Sequence, residues 1–237
     1  MSAVSEPYSD PYYPVFLDLR GRLAVVVGGG SVAERKMTTL LEYGADVVCI
    51  APLITPGIDG LVAQGVIDHE DRGYVRGDLA GAFIVVCATD STEVNRAVYQ
   101  EAEGQGCLVN VVDVPELCNF IVPSIVKRGP LQIAISTGGA APVVAKQMRC
   151  ELEEHYGDEW ECYVRLLGQV RCLILDRVPG GEPVRKPIFE AIAASDLFER
   201  VLAGACVDPE DVFREFVPES VIVSVTPGDD ASDTSGD

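Results

Sequence analysis

The sequence is short of basic residues: 18 Lys and Arg stand against 37 Asp and Glu over 237 positions, a formal net charge of −19. Such an excess repels a polyanion, which excludes nucleic acid as the main partner. Long apolar runs are missing as well. The longest, Phe83 to Ala88 and Phe120 to Val126, fall far short of the roughly 20 residues a membrane-spanning helix needs, so no membrane partner is expected. Histidine is scarce, with only His69 and His155, neither in a metal-ligand pattern. The eight cysteines include no C-x-x-C pair, so neither a structural zinc site nor a disulfide framework is expected. The first twenty positions hold acids, tyrosines and prolines, with no base before Arg20. That is unlike the charged start and apolar middle of a secretory signal, and the expected location is cytoplasmic. Nor is there a Tyr-x-x-x-Lys pair, which removes the short-chain type of dehydrogenase that uses one.

What is present is a 48% hydrophobic chain, ample for a buried core. Between Leu23 and Ile135 short β-rich runs alternate with helical or turn segments: "LAVVVG", "DVVCIAP", "GVIDHE", "AFIVVCATD", "CLVNVVD" and "LQIAIST". Nearly continuous Val, Ile and Leu mark strands buried on both faces, so the expected class is α/β, a Rossmann-like doubly wound parallel sheet. Pro115, Pro123 and Pro130 crowd one section, and the simple alternation is expected to end near there. Beyond Gly139 the pattern becomes helical. Val144, Met148 and Leu152 are expected on one face, and Trp160, Val164, Leu167, Val170 and Ile174 on another. Pro179-Gly180-Gly181 breaks the run, and Asp208 before Pro209 reads as a helix N-cap. The closing "DDASDTSGD" has no large apolar residue to bury and reads as a disordered tail.

Three segments carry candidate chemistry. Gly28, Gly30 and Ala33 fit G-x-G-x-x-A after the first strand, with Ser31 and Val32 opening a helix that runs to about Tyr43. There the first glycine permits a tight turn, the second lets a pyrophosphate reach the backbone, and the small third residue lets helix and strand pack closely. The second strand ends at Ala51-Pro52 without the acid that usually takes the ribose hydroxyls, so the choice between NAD and NADP stays open by that rule. Thr89 and Asp90, with Asn95 on the following helix, offer adenosine contacts instead, or serve as ordinary helix capping. Asp113 ends the strand "LVNVVD" at the ligand-binding edge, as a base beside a nicotinamide or as a turn residue. "STGGAAP", with Thr137, Gly138 and Gly139, resembles a second anion cradle, and Lys127, Arg128, Lys146 and Arg149 cluster around it in sequence.

The order and spacing of "YYPVFLDLRGR", "VVGGGSVAERK", "ATDSTEVNR" and the long segment from Val109 to Arg149 resemble the siroheme-synthesis family of precorrin-2 dehydrogenases. Some members of that family are also sirohydrochlorin ferrochelatases. The resemblance implies an NAD-binding domain over 12–122, a segment over 123–150 that forms a homodimer and a helical domain over 151–220; composition sets the acidic tail at 221–237. It implies NAD as the cofactor, taking hydride from precorrin-2 to give sirohydrochlorin. Asp113 matches the family's catalytic aspartate, and in bifunctional relatives the same acid is implicated in metal insertion. The rival readings are a different NAD-linked dehydrogenase and a non-catalytic dinucleotide-sensing module.

Overall fold

A computed structural model describes residues 12–222. The chain forms two compact units, with the break between Val122 and Pro123.

In the first unit, β1 (Leu23–Val27), β2 (Asp46–Ile50), β3 (Asp68–Glu70), β4 (Ile84–Cys87) and β5 (Leu108–Val111) form one sheet in the order β3-β2-β1-β4-β5. All its pairings are parallel, with Val25 of β1 flanked by Val48 and Val85. Helices α1 (Ser31–Glu42), α2 (Pro56–Ala63) and α3 (Thr92–Gln105) connect the strands. Successive side chains of a strand point to opposite faces, and β1 buries both. Ala24 and Val26 pack with Ala33, Met37 and Leu40 of α1, whereas Val25 and Val27 pack with Val98 and Ala102 of α3. The expected doubly wound sheet is therefore present, and the strand order reverses between β1 and β4, where such sheets open a crevice.

The second unit begins with a hairpin, β6 (Ser124–Arg128) and β7 (Leu131–Ile135), antiparallel with Ile125 opposite Ala134. This corrects the expectation that "LQIAIST" extends the parallel sheet. Only Gly129 and Pro130 separate the two strands, and a parallel return needs a crossover of a dozen residues or more. Five helices follow: α4 (Pro142–His155), α5 (Glu159–Arg177), α6 (Glu182–Ala193), α7 (Leu197–Leu202) and α8 (Pro209–Phe216). Tyr163, Leu166, Val170 and Ile174 form the buried stripe of α5 and pack with Val212 and Phe213 of α8. Asp208 caps α8 by accepting the Glu210 amide at 2.8 Å. On α4 the expected apolar face is split. Leu152 packs with Val126, Ile135 and Ala145, while Val144 and Met148 stay 47% and 44% exposed. From residue 223 on, the acidic tail lies outside the described residues. Among the described residues no helix is long and apolar enough to cross a membrane, and no group of three metal-ligating side chains is placed to hold an ion.

Candidate functional site

The glycine turn joins β1 to α1, and its three glycines have different neighbours. Gly28 has φ +123°, and a Cβ built on it lies 2.3 Å from the Ala88 carbonyl oxygen. A Cβ on Gly29 lies 2.0 Å from the carbonyl oxygen of Leu53. Both residues are glycine because neighbouring backbone passes too close for a side chain. Gly30 differs: its φ is −81°, open to any residue, and a Cβ there meets nothing within 4 Å. The protein's own packing does not require that glycine, so the open space beside it is where something else approaches the backbone. Gly30 also caps α1 without a side chain, which leaves the first amides of the helix, at Ser31, Val32 and Ala33, without intrahelical acceptors. Ala33 is fully buried against the sheet.

These residues border a cavity of about 530 Å³ beyond the C-terminal ends of β1, β2 and β4. Gly28, Gly29, Gly30, Ser31 and Val32 form one side; Ile50 to Leu53, Tyr74 and Val94 form an apolar wall; Ala88, Thr89 and Asp90 close it. Asp90 is the one charged residue among those lining it. The turn behind it is fixed by Asn95, which is 7% exposed. The Asn95 Oδ1 accepts from the Thr89 hydroxyl at 2.9 Å and the Cys87 thiol at 3.1 Å, and its Nδ2 donates to the Thr89 carbonyl at 3.3 Å. Thr89 and Asp90 thus reach the cavity while Asn95 shapes the turn from below, and Ser91 caps α3 by accepting the Val94 amide.

Asp113 is exposed in the turn after β5 and is the only described non-glycine residue with positive φ, at +61°. L-residues visit that region at a cost, and Asp and Asn tolerate it best. The Cys118 thiol donates to the carbonyls of Val111 at 3.2 Å and Val114 at 3.3 Å, on either side of the strained residue. Lys36, half-buried on α1, lies within electrostatic reach of the same turn. Burial and the neighbouring Arg35 lower its ammonium pKa, and the charge of Asp113 acts in the opposite direction.

In the second unit the expected basic cluster is partly committed to its own scaffold. The Arg128 guanidinium donates to the carbonyls of Lys127 and Glu153 and lies 3.4 Å from Asp158, and Arg149 pairs with Glu153 one helical turn on. Lys127 and Lys146 are exposed. In "STGGAAP" the Gly138 amide donates to the Ser136 hydroxyl, Ala140 to the Thr137 carbonyl and Ala141 to the Thr137 hydroxyl. Much of that cradle is closed on itself, with the Gly138 and Gly139 backbones left-handed.

Residues 15–124 match the family model described as NAD(P)-binding, and residues 128–155 the one described as sirohaem biosynthesis protein central. The siroheme synthase of Methylobacillus flagellatus is 40% identical over 191 residues, 81% of this chain and 41% of that protein. That of Nitrosococcus oceani is 35% identical over 226 residues, 92% of this chain and 48% of that protein. The solved structure of SirC, precorrin-2 dehydrogenase, matches with a TM-score of 0.72 at 28% identity, over 86% of this chain and 98% of that one. The chain belongs to the siroheme-synthesis family. It spans about half the length of the curated siroheme synthases and nearly all of SirC.

Within that family, this chain's first unit is a nicotinamide-dinucleotide-binding domain. The cavity fits the group: a pyrophosphate has open space at Gly30 and free amides at the start of α1. Sequence reasoning did not single out Gly29, Leu53 or Tyr74, which line this cavity. The signal for Gly29 is a contact with a carbonyl 24 residues away, and Tyr74 enters from the loop between β3 and β4.

Proposed function

We propose that the chain is an NAD-dependent precorrin-2 dehydrogenase, oxidising precorrin-2 to sirohydrochlorin on the route to siroheme. The observation that carries this reading is a dinucleotide cavity with an unneeded glycine at Gly30, on the same sheet edge as a carboxylate held in a strained turn at Asp113. Asp113 follows β5, two strands from β1, roughly 10 Å away across the sheet. Ser31, Val32 and the Gly30 backbone hold the pyrophosphate, and Thr89 and Asp90 border the sugars. Bound there, NAD supplies the hydride acceptor. Asp113 takes the proton that leaves the substrate with the hydride and passes it to water, so the reaction yields sirohydrochlorin, NADH and a proton.

NAD is favoured over NADP because, among the described residues, no cation lines the cavity to pair with a 2′-phosphate. Precorrin-2 carries eight carboxylates, which call for a basic, amide-bearing surface. Lys127, Arg128, Lys146, Arg149 and the Thr137–Gly139 loop are the proposed contacts, with the exposed Lys146 the strongest of them. The 12–122 segment holds the cofactor, 123–150 pairs two copies and 151–220 completes the substrate domain. The pairing is supported by Val143, Val144 and Met148, which leave an apolar face of α4 exposed by 79%, 47% and 44%. The enzyme works in the cytoplasm.

The test is turnover of precorrin-2 with NAD or NADP, following the reduced dinucleotide and the product together. Asp113→Asn keeps the shape and removes the base, and its rate is expected to fall about 10²–10⁴-fold with dinucleotide affinity retained. Turnover within a few-fold of the parent makes Asp113 a turn residue only. Iron insertion into sirohydrochlorin, assayed on the same pair of proteins, decides whether this carboxylate serves a second reaction. Dinucleotide binding with no turnover of precorrin-2 leaves the sensing module as the reading.

A further inference from the structure

The apolar wall of the cavity contains one aromatic ring, Tyr74, and that ring is held by a buried carboxylate the dehydrogenase reading does not use. Glu101, on α3, is 5% exposed. It accepts four hydrogen bonds: from the Tyr74 hydroxyl at 2.6 Å, from the amides of Gly77 at 2.8 Å and Leu79 at 3.1 Å, and from the Gln105 side chain at 3.0 Å. A carboxylate taken out of water is costly unless its lone pairs are satisfied, and four donors satisfy them. Burial alone raises the Glu101 carboxyl. The bonds from Tyr74, Gly77 and Leu79 outweigh burial and hold it below the ordinary range. Burial and the bond to Glu101 push the Tyr74 phenol well up. At neutral pH the pair is therefore fixed as neutral donor and ionised acceptor, and the loop from Gly73 to Leu79 is pinned to α3 through side chain and backbone together.

We propose that Tyr74 is the surface on which the adenine end of the dinucleotide packs, and that Glu101 is the residue that positions it. This rests on the dinucleotide reading above. The glycine turn after β1 takes the pyrophosphate, so the two halves of the cofactor lie on either side of it along the sheet edge. The reacting half belongs on the side of β4 and β5, where Asp113 stands. The other half then lies over β2 and β3, where the lining is Ile50, Ala51, Pro52, Leu53 and Tyr74, with no charge and no ribose-binding acid. A flat, uncharged base gains dispersion and stacking from such a ring, and a ring already locked by its hydroxyl loses little freedom when the base arrives. Affinity that other dinucleotide folds draw from an acid at the end of β2 is supplied here by a pinned aromatic. Tyr74 touches the cofactor; Glu101 acts through it.

Calorimetric titration of the full chain with NAD, ADP-ribose and NMN tests this, beside thermal melts of every variant. Tyr74→Ala is expected to weaken NAD and ADP-ribose about 10-fold or more and by the same factor, to leave NMN affinity as in the parent, and in turnover to move KM for the dinucleotide far more than kcat. Tyr74→Phe, which keeps the ring and loses only the hydroxyl that Glu101 holds, is expected to weaken ADP-ribose several-fold, as Glu101→Gln does in the parent. Glu101→Gln weakens ADP-ribose several-fold in the parent and adds nothing in a Tyr74→Ala background, the non-additivity expected of a residue that acts through another. A folded Tyr74→Ala that binds ADP-ribose as tightly as the parent overturns the inference, and so does an equal loss for NMN. A parent that binds neither NAD, NADP nor ADP-ribose overturns the dinucleotide reading and this inference with it. A parent that binds them without oxidising precorrin-2 overturns only the choice of substrate.

Discussion

Alanine substitutions along the glycine turn should separate what the fold needs from what the ligand needs, because the three positions predict different losses. At Gly30 the backbone is extended, φ −81° and ψ −179°, and an added Cβ finds nothing within 4 Å. Gly→Ala at a compatible site gains about 0.4–1 kcal/mol through the unfolded chain, but alanine caps a helix less well than glycine by a similar amount, so the melting temperature should stay within about 4 °C of the parent. The methyl group nevertheless stands where a pyrophosphate must reach the amides of α1, so dinucleotide affinity should fall about 10-fold or more. At Gly28 the fold is what suffers. The backbone is at φ +123° and the Cβ lies 2.3 Å from a carbonyl oxygen at the end of β4, a backbone atom that cannot rotate away. Strain of about 1–3 kcal/mol and overpacking of similar size together amount to about 2–6 kcal/mol. Gly29→Ala, 2.0 Å from the Leu53 carbonyl, belongs with Gly28. Thermal unfolding by circular dichroism and calorimetric titration with NAD read the two quantities separately. Parent-like affinity in Gly30→Ala refutes the assignment of the open space to a pyrophosphate. A Gly28→Ala protein that melts like the parent refutes the reasoning from Cβ contacts.

The remaining expectations follow from single contacts. Asn95→Ala leaves the Thr89 hydroxyl and the Cys87 thiol without their acceptor; melts should show a loss of about 1–3 kcal/mol, with weaker NAD binding because the Thr89–Asp90 turn loosens. Acid should destabilise the first unit through Glu101 and Asp78. The Arg72 guanidinium and, against burial, the Val75 amide hold Asp78 below the ordinary range, as the donors around Glu101 do there. Both pKa values are lower in the folded chain than in the unfolded one. Their stabilisation is therefore complete above the ordinary carboxylate range and lost as pH falls through the depressed values, and melts against pH should flatten there in Glu101→Gln. Introducing charge on the exposed face of α4 with Met148→Glu should turn the proposed dimer into a 25.4 kDa species in sedimentation; a parent that already sediments at that mass removes the pairing.

The parallel sheet was legible because β1, β2 and β4 are buried on both faces, and such strands read as nearly continuous apolar runs, here Val and Ile with Leu23, Ala24, Cys49 and Cys87. The same rule misassigned Leu131–Ile135, since an apolar run identifies a strand and not its partner. The deciding feature was the two-residue spacer Gly129-Pro130, which is too short for a crossover. In the site, the motif located Gly28 and Gly30 but could not say which of them serves the fold, because that depends on where Ala88 and Leu53 come to rest. The basic cluster was legible only as charge counted along the chain. That Glu153, 25 residues beyond Arg128, accepts from Arg128 through its carbonyl and pairs with Arg149 has no signal in the spacing. Tyr74 and Glu101 meet across 27 residues with no periodic signal between them, so no reading of local pattern reaches them.

Asp113 allows the reasoning used for Gly30 to be run in reverse. At Gly30 the chain keeps a glycine its fold does not need; at Asp113, with φ +61°, it keeps a side chain where glycine is easier to accommodate. The left-handed region costs an L-residue roughly 1–2 kcal/mol, less for Asp, while glycine's greater freedom when unfolded returns about 0.5–1 kcal/mol of that. Asp113→Gly should therefore leave the melting temperature unchanged or slightly raised. Asp113→Val, whose branched side chain fits that region badly, should lower it. If the carboxylate is there for chemistry, activity follows neither trend: glycine and valine are both inactive, whatever their stability, and Asp113→Glu alone retains a measurable rate. If the carboxylate is there for the turn, activity follows stability, with glycine near the parent and valine poor. The three substitutions, each read by melt and by precorrin-2 turnover, leave no result that both accounts predict.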